Sequence, residues 1–162
     1  MPALRFAILT VSDRSSRGER PDTSGPVLAE LVQSQGWQVL KQEIVPDEMD
    51  AIQEILQNWA DADAADIIIT TGGTGFAPRD VTPEATRAVV ERLTPGLDEA
   101  MRAASLQVTP HAMLSRAISG VRKSTLIINL PGSPKGATEN LQVVMPALEH
   151  AVYLLRDQDA GH

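Results

Sequence analysis

Two segments of this chain combine glycine, hydroxyl and charge at spacings suited to phosphate chemistry. Gly72-Gly73-Thr74-Gly75 follows an apolar run and is closed by Arg79-Asp80. Glycines let a backbone approach a ligand closely, and the free N–H groups of such a turn can cradle phosphate oxygens. In that reading Arg79 faces phosphate and Asp80 holds Mg2+. Magnesium takes one or two carboxylates and completes its shell with water and phosphate. The plainer alternative for the pair is an exposed couple ahead of a helix. Pro131-Gly132-Ser133-Pro134-Lys135-Gly136 is the second segment: a tight turn, Ser133 as N-cap, Pro134 at the first helical position and Lys135 in the first turn. It reads as an anion-binding helix start, although capping alone would account for it. Asp47, between Pro46 and Glu48, reads by itself as a helix N-cap. Ser115-Arg116 and Arg122-Lys123 add hydroxyl and charge, for which surface solvation is the ordinary explanation.

Other chemistries lack their residues. The chain has no cysteine, which removes disulfides, thiolate metal sites and cysteine nucleophiles together and suits a reducing cytosol. His111, His150 and His162 have no metal-ligand spacing. There is no G-x-S-x-G elbow, no G-x-x-x-x-G-K-[ST] loop and no third glycine of a dinucleotide fingerprint. A net charge of −7 argues against nucleic acid as a partner, while leaving room for a local cationic cluster on one small anion. No apolar run approaches the ~20 residues needed to span a bilayer. Met1-Pro2-Ala3-Leu4-Arg5 runs straight into a strand pattern, without a signal peptide. The expectation is a soluble, cytoplasmic chain of 162 residues: one domain over residues 1–156 and a frayed tail over 157–162.

The elements that must position these residues follow from apolar periodicity. Phe6 to Val11 and Ile67 to Thr71 are continuous apolar runs, expected of strands covered on both faces; Thr125 to Leu130 is a third. Residues 37–44 alternate with charge and predict a half-exposed edge strand. Val27, Leu28, Leu31 and Val32 give a helix stopped at Gly36. Ile52, Ile55, Leu56 and Trp59 give another. Further helices are predicted from Thr82 (as N-cap, with Pro83 at the first helical position), over 98–106, and over about 137–155, where Pro146 invites a kink. Ile118 to Leu130 reads as two strands around Gly120-Val121-Arg122-Lys123, the second being Thr125 to Leu130. With aromatics at 3%, Trp37 and Trp59 read as packing residues. Strands alternating with helices predict a mostly parallel α/β sheet covered on both faces. Residues 12–20, 72–80 and 131–136 then fall as loops at strand ends, sharing one crevice.

Six blocks together resemble the Mog/MoaB family: Thr10-Val11-Ser12-Asp13, Val45-Pro46-Asp47-Glu48, Thr71-Gly72-Gly73-Thr74-Gly75, Arg79-Asp80-Val81-Thr82-Pro83-Glu84-Ala85-Thr86, Leu114-Ser115-Arg116 and Asn129-Leu130-Pro131-Gly132-Ser133-Pro134-Lys135. The resemblance spans about residues 5–155. It implies a three-layer α/β/α molybdopterin-binding domain whose mixed sheet has one antiparallel strand, assembled as a homotrimer or hexamer. It implies adenylylation of molybdopterin by MgATP in molybdenum-cofactor biosynthesis, with Mg2+ as cofactor and transient contact with the molybdenum-insertion protein. It implies catalytic roles for Asp47 and Asp80, which replaces the capping reading of Asp47. Ser12, Asp13, Arg14, Gly72, Gly73, Thr74, Gly75, Arg79, Ser115, Arg116, Pro131, Gly132, Ser133 and Lys135 are the expected substrate-binding set, with Asp80 the Mg2+ ligand. The rivals are a catalytically silent pterin-binding paralogue and a nucleotide pyrophosphatase related to domains of competence-damage proteins.

Overall fold

A computed structural model describes residues 2–156; the tail expected over 157–162 lies outside the described residues. Six strands form one sheet in the order β2-β1-β3-β6-β5-β4. Strands β1 (Arg5–Val11), β2 (Gln38–Val45), β3 (Ile67–Thr71) and β6 (Thr125–Leu130) run parallel. β5 (Ser119–Arg122) runs against β6 and against the two-residue β4 (Arg92–Leu93), making it the one reversed strand.

The period of two along each buried strand builds two cores. Phe6, Ile8, Ile67, Ile69, Leu126 and Ile128 face one layer, formed by α2 (Ser24–Ser34), α5 (Pro95–Leu106) and α6 (Pro134–Arg156). Ala7, Leu9, Ile68 and Ile127 face the other, where α3 (Met49–Asp61) and α4 (Thr82–Val89) contribute Ile52, Leu56, Trp59 and Val89. Because both faces are covered, the strands read as unbroken apolar runs. β2 lies at the sheet edge, as expected, but it is exposed along most of its length instead of on alternate residues, and only Val45 is buried. Both tryptophans pack: Trp37 stacks on Phe6 with ring centroids 5.4 Å apart, and Trp59 is buried.

Several local expectations are corrected. Residues 12–20 are not all loop: Asp13–Ser16 form a short helix, α1, capped by Ser12, whose hydroxyl accepts the Ser15 N–H at 3.1 Å. Thr82 is the first residue of α4 rather than its cap; its hydroxyl instead donates to the Gly72 carbonyl at 2.9 Å. α5 begins at Pro95, three residues before the predicted start. A 3-10 helix, Pro110–Leu114, and the strand β4 carry no periodic signal because both are too short to show one. The β5–β6 turn falls at Lys123 and Ser124, with Lys123 in the left-handed region (φ +52°). Val27, placed by spacing on the buried face of α2, is instead exposed. The helix after Ser133 starts at Pro134 and continues through Pro146.

Candidate active site

β1, β3 and β6 are neighbours in the sheet and parallel, so their carboxyl ends deliver residues 12–20, 72–80 and 131–136 to one rim. The loops form two adjoining clefts there rather than a single crevice. Gly72 and Gly73 line one cleft, Thr74 and Gly75 line the other, and Ser133 borders both.

The first cleft, of about 380 Å3, is polar. Asp47 and Asp80 both line it, together with Ser12, Gly72, Gly73 and Gly132. Asp47 does not cap α3, whose N-cap position is Glu48 without a side-chain bond. Its carboxylate accepts the Asp13 N–H at 2.8 Å instead. Burial raises the Asp47 pKa above its ordinary value, and the negative charges of Asp13 and Asp80 raise it further. Asp13 shifts the other way, because hydrogen bonds from Arg79 favour its charged form. Those bonds are bidentate: Arg79 Nε and Nη2 donate to the two Asp13 oxygens, each at 3.0 Å. Asp80 turns one oxygen to the Ala77 N–H at 3.0 Å.

The glycine-rich turn is shaped by close approach. Gly72 (φ +106°) lies where a Cβ would stand 2.3 Å from the Val11 carbonyl oxygen. At Gly73 (φ +69°) a Cβ would stand 2.3 Å from Thr82 Oγ1 and 3.2 Å from Asp47 Oδ1. No side chain can therefore separate this backbone from the carboxylate beside it. Arg116 clamps the same loop: Nε donates to the Gly75 carbonyl and Nη2 to the Asp80 carbonyl, both at 2.7 Å. Three of its N–H groups are engaged, counting the Nη1 bond to Glu84 at 2.6 Å. These bonds give Arg116 a part in holding the loop.

The second cleft, of about 300 Å3, lies between α5, the 3-10 helix and the start of α6. Met101, Val108, Ala112, Leu114 and Pro131 give it apolar walls, and Ser115 and Ser133 stand among its polar groups. Asn129 supports it from beneath, fully buried, donating to the Thr70 and Thr86 hydroxyls at 3.0 and 2.9 Å and accepting the Ile118 N–H.

Of the expected set, Arg14 and Lys135 are exposed and line neither cleft; Lys135 faces Glu139 one turn on, 3.9 Å away. Arg79 is engaged by Asp13 at the exposed edge. Sequence reasoning passes over Asp22 and Ser24, which line the polar cleft. Asp22 accepts the Thr10 hydroxyl at 2.8 Å and the Gly25 N–H at 3.1 Å, while Ser24 donates to the Gly132 carbonyl at 2.6 Å. The Asp22-Thr23-Ser24-Gly25 run carries a signal: an Asp whose side chain can accept the N–H three residues on is a local capping pattern.

No group of three or more His, Cys, Asp or Glu among the described residues is arranged to hold an ion unaided. A cation here would therefore be shared between one or two carboxylates and a phosphorylated ligand, which suits Asp80 beside Asp47.

An α/β/α domain with glycine turns and carboxylates at the carboxyl rim of a mostly parallel sheet places them where open α/β folds take their ligands. The family model described as a probable molybdopterin binding domain matches residues 7–150, and this chain belongs to that family. It superposes on the molybdopterin biosynthesis enzyme MoaB of Thermus thermophilus with a TM-score of 0.90 and 51% identity, covering 96% of this chain and 98% of that one. A Helicobacter pylori molybdopterin adenylyltransferase is 43% identical over 157 residues, 96% of this chain and 89% of the relative. Gephyrin of Dictyostelium discoideum is 45% identical over 93% of this chain, which spans only 22% of that relative's length. No helix among the described residues is long and apolar enough to cross a membrane.

Proposed function

We propose that this protein is a molybdopterin adenylyltransferase, moving AMP from MgATP to the terminal phosphate of molybdopterin and releasing pyrophosphate, a step of molybdenum-cofactor biosynthesis. The observation that carries the reading is Asp47 and Asp80 lining one polar cleft against the bare backbone of Gly72 and Gly73. The activity of the Helicobacter relative supports it, since that similarity covers nearly all of both chains.

The reaction joins two anions. A phosphate oxygen of molybdopterin bonds to the α-phosphorus of ATP as the bond to the α,β-bridging oxygen breaks, and pyrophosphate leaves with the electron pair. A phosphate monoester with its second pKa near ~6 is already largely ionised at neutral pH. Catalysis then rests on alignment and charge neutralisation rather than on proton removal. A Mg2+ ion bound with the nucleotide would supply neutralising charge. Asp80 is the residue to hold it, fixed in place by the Ala77 N–H and by Arg116 on its own carbonyl. Asp47, in the same cleft, orders the phosphate end of the substrate pair. Gly72 and Gly73 hold phosphate by backbone. Ser12, Gly132 and Ser133 border that position, and Ser115 and Thr74 border the adjoining apolar cleft, which takes a ring system. Exposed Phe76 and Met113 offer the kind of apolar surface that the expected homotrimer or hexamer would cover.

Incubation with molybdopterin, ATP and Mg2+ tests the assignment. Adenylylated molybdopterin and equimolar pyrophosphate are expected. Pterin binding without pyrophosphate release would identify the silent paralogue instead, and ATP cleavage without pterin would point to a pyrophosphatase.

A further inference from the structure

The apolar cleft contains one group that its walls do not explain. Asp98, on the first turn of α5, lines it while only 5% exposed. Its oxygens accept the Ser119 hydroxyl at 2.6 Å and the Ser119 N–H at 3.0 Å, both neutral donors. Burial pushes the Asp98 pKa above its ordinary value, against the opposing pull of the Ser119 bonds and of nearby Arg102, whose Nη1 donates to the Ser115 and Ala117 carbonyls and not to Asp98. A carboxylate offers about four acceptor positions, so two remain after Ser119 is served. The other acid of the lining, Glu139, is different in kind: its side chain is 43% exposed and lies 3.9 Å from Lys135.

A desolvated carboxylate in an apolar slot is an expensive way to hold one serine, because burying charge without a charged partner is costly. It is an effective way to read a ligand that presents two adjacent N–H donors, since two charge-assisted hydrogen bonds then form out of water. Resting on the transferase reading, we infer that Asp98 is a specificity-determining residue that accepts the ring N–H and exocyclic amino group of a 2-amino-4-oxo-pyrimidine edge. The apolar cleft is then the pterin side of the active site. An adenine ring offers a donor beside an acceptor on its pairing edge and does not match a carboxylate there. Ser119 orients the carboxylate, and Met101, Ala112 and Leu114 contact the faces of the ring. The phosphate of such a ligand reaches the polar cleft across Ser133, which borders both.

The test uses ligands without phosphate, so it reads the cleft alone. 6-Hydroxymethylpterin, lumazine (the same bicycle with oxygen in place of the 2-amino group) and adenosine are titrated against the wild-type chain by fluorescence or calorimetry. The pterin is expected to bind at least tenfold more tightly than lumazine. Asp98→Asn is expected to lose at least tenfold in pterin affinity while its adenosine affinity stays within twofold. Equal binding of pterin and lumazine by the wild-type chain overturns the inference without needing any variant to fold. So does a folded Asp98→Asn that binds pterin like wild type, or that loses adenosine to the same extent. Turnover is measured separately. Adenylylation with pterin binding indifferent to Asp98 removes this residue and leaves the transferase standing; selective pterin binding without adenylylation removes the transferase and leaves Asp98 as a pterin reader.

Discussion

Asp13 and Asp47 hold each other through their main chains: the Asp13 N–H donates to Asp47 Oδ2 at 2.8 Å, and the Asp47 N–H donates to Asp13 Oδ1 at 3.0 Å. The turns after β1 and β2 are thereby fixed to one another, and each carboxylate is aimed by the other's backbone. The two side chains nevertheless have opposite electrostatics. Arg79 forks onto Asp13 and lowers its pKa, whereas burial, Asp13 and Asp80 raise that of Asp47. The two acids are held near one another because Arg79 offsets the charge of Asp13 and each carboxylate accepts the other's backbone N–H.

The raised pKa of Asp47 has a consequence for stability. The folded chain holds this proton more tightly than the unfolded chain does. Between the ordinary carboxyl value and the raised one, stability therefore falls as pH rises, and it stays at the lower level above both. Asp47→Asn keeps an acceptor for the Asp13 N–H and removes the charge. The variant is expected to melt higher than wild type at pH 7, by a gain of about 0.5–2 kcal/mol, with the difference shrinking towards pH 4. Its adenylylation rate is expected to fall at least a hundredfold. A calorimetric series from pH 4 to 7 and a turnover assay check this; a lower melting temperature at every pH would contradict the electrostatic account.

Arg79 works in the opposite sense. Asp13's lowered pKa stabilises the fold above its unfolded value, and that contribution is lost as pH falls through the lowered folded value. The side chain of Arg79 is 59% exposed, and water screens such exposed pairs. Arg79→Ala should accordingly melt near wild type at pH 7. The Asp13 carboxyl should titrate at higher pH than in wild type, as read by carboxyl-carbon NMR, and KM for ATP should rise more than kcat falls. An unmoved Asp13 titration would show that the fork is not what holds its proton off.

How much of this is legible in sequence depends on the reach of each signal. Phe6 to Val11 and Ile67 to Thr71 are unbroken apolar runs because both faces are covered, so strands, helices and the parallel sheet can be read locally. The gathering of Asp47 and Asp80 needs the order of strands, which no local pattern contains; the six-block resemblance supplies it. Thr82 misleads because a threonine before proline looks like a cap, while its hydroxyl in fact reaches the Gly72 carbonyl ten residues back. The loop-holding part of Arg116 is hidden because charge shows in sequence and its partners do not: both of its loop carbonyls lie more than 30 residues away. Asp98 reads in sequence only as the start of a helix. Its partner, Ser119, lies 21 residues on, and nothing in composition marks that carboxylate as buried.

The glycine-rich turn separates folding from catalysis by position. At Gly73 an added methyl meets Thr82 Oγ1 and stands in a left-handed backbone, so Gly73→Ala is strained on both counts. It is expected to lose about 1–3 kcal/mol of stability and essentially all activity. At Gly75 the methyl meets only Asp80 Oδ2, at 3.0 Å. That carboxylate can swing away, so Gly75→Ala is expected to melt near wild type and to lose at least tenfold in kcat. Equal melting losses at the two positions would show that the turn, rather than the individual contacts, sets the tolerance.

Arg116 provides the sharpest test of loop position against loop charge. Its backbone N–H donates to the Thr74 carbonyl at 2.8 Å, and its guanidinium spans the carbonyls of Gly75 and Asp80 before reaching Glu84. A lysine keeps the charge but directs its protons from a single nitrogen, so it cannot bridge these acceptors as a planar fork does. Arg116→Lys is expected to cost about 1–3 kcal/mol through carbonyls left without donors, to speed amide exchange across residues 75–80, and to lower kcat at least tenfold as Asp80 loses its support. Glu84→Gln leaves the carbonyl bonds intact and removes only a half-exposed ion pair. It should cost under about 1 kcal/mol and leave kcat within threefold. Wild-type turnover in Arg116→Lys would mean that the loop is held by its own turn bonds, Asp80 N–H to the Ala77 carbonyl at 2.9 Å and Thr82 N–H to the Gly73 carbonyl at 3.1 Å. In that case Asp80 owes its position to residues 73–82 alone, and the guanidinium is dispensable to it.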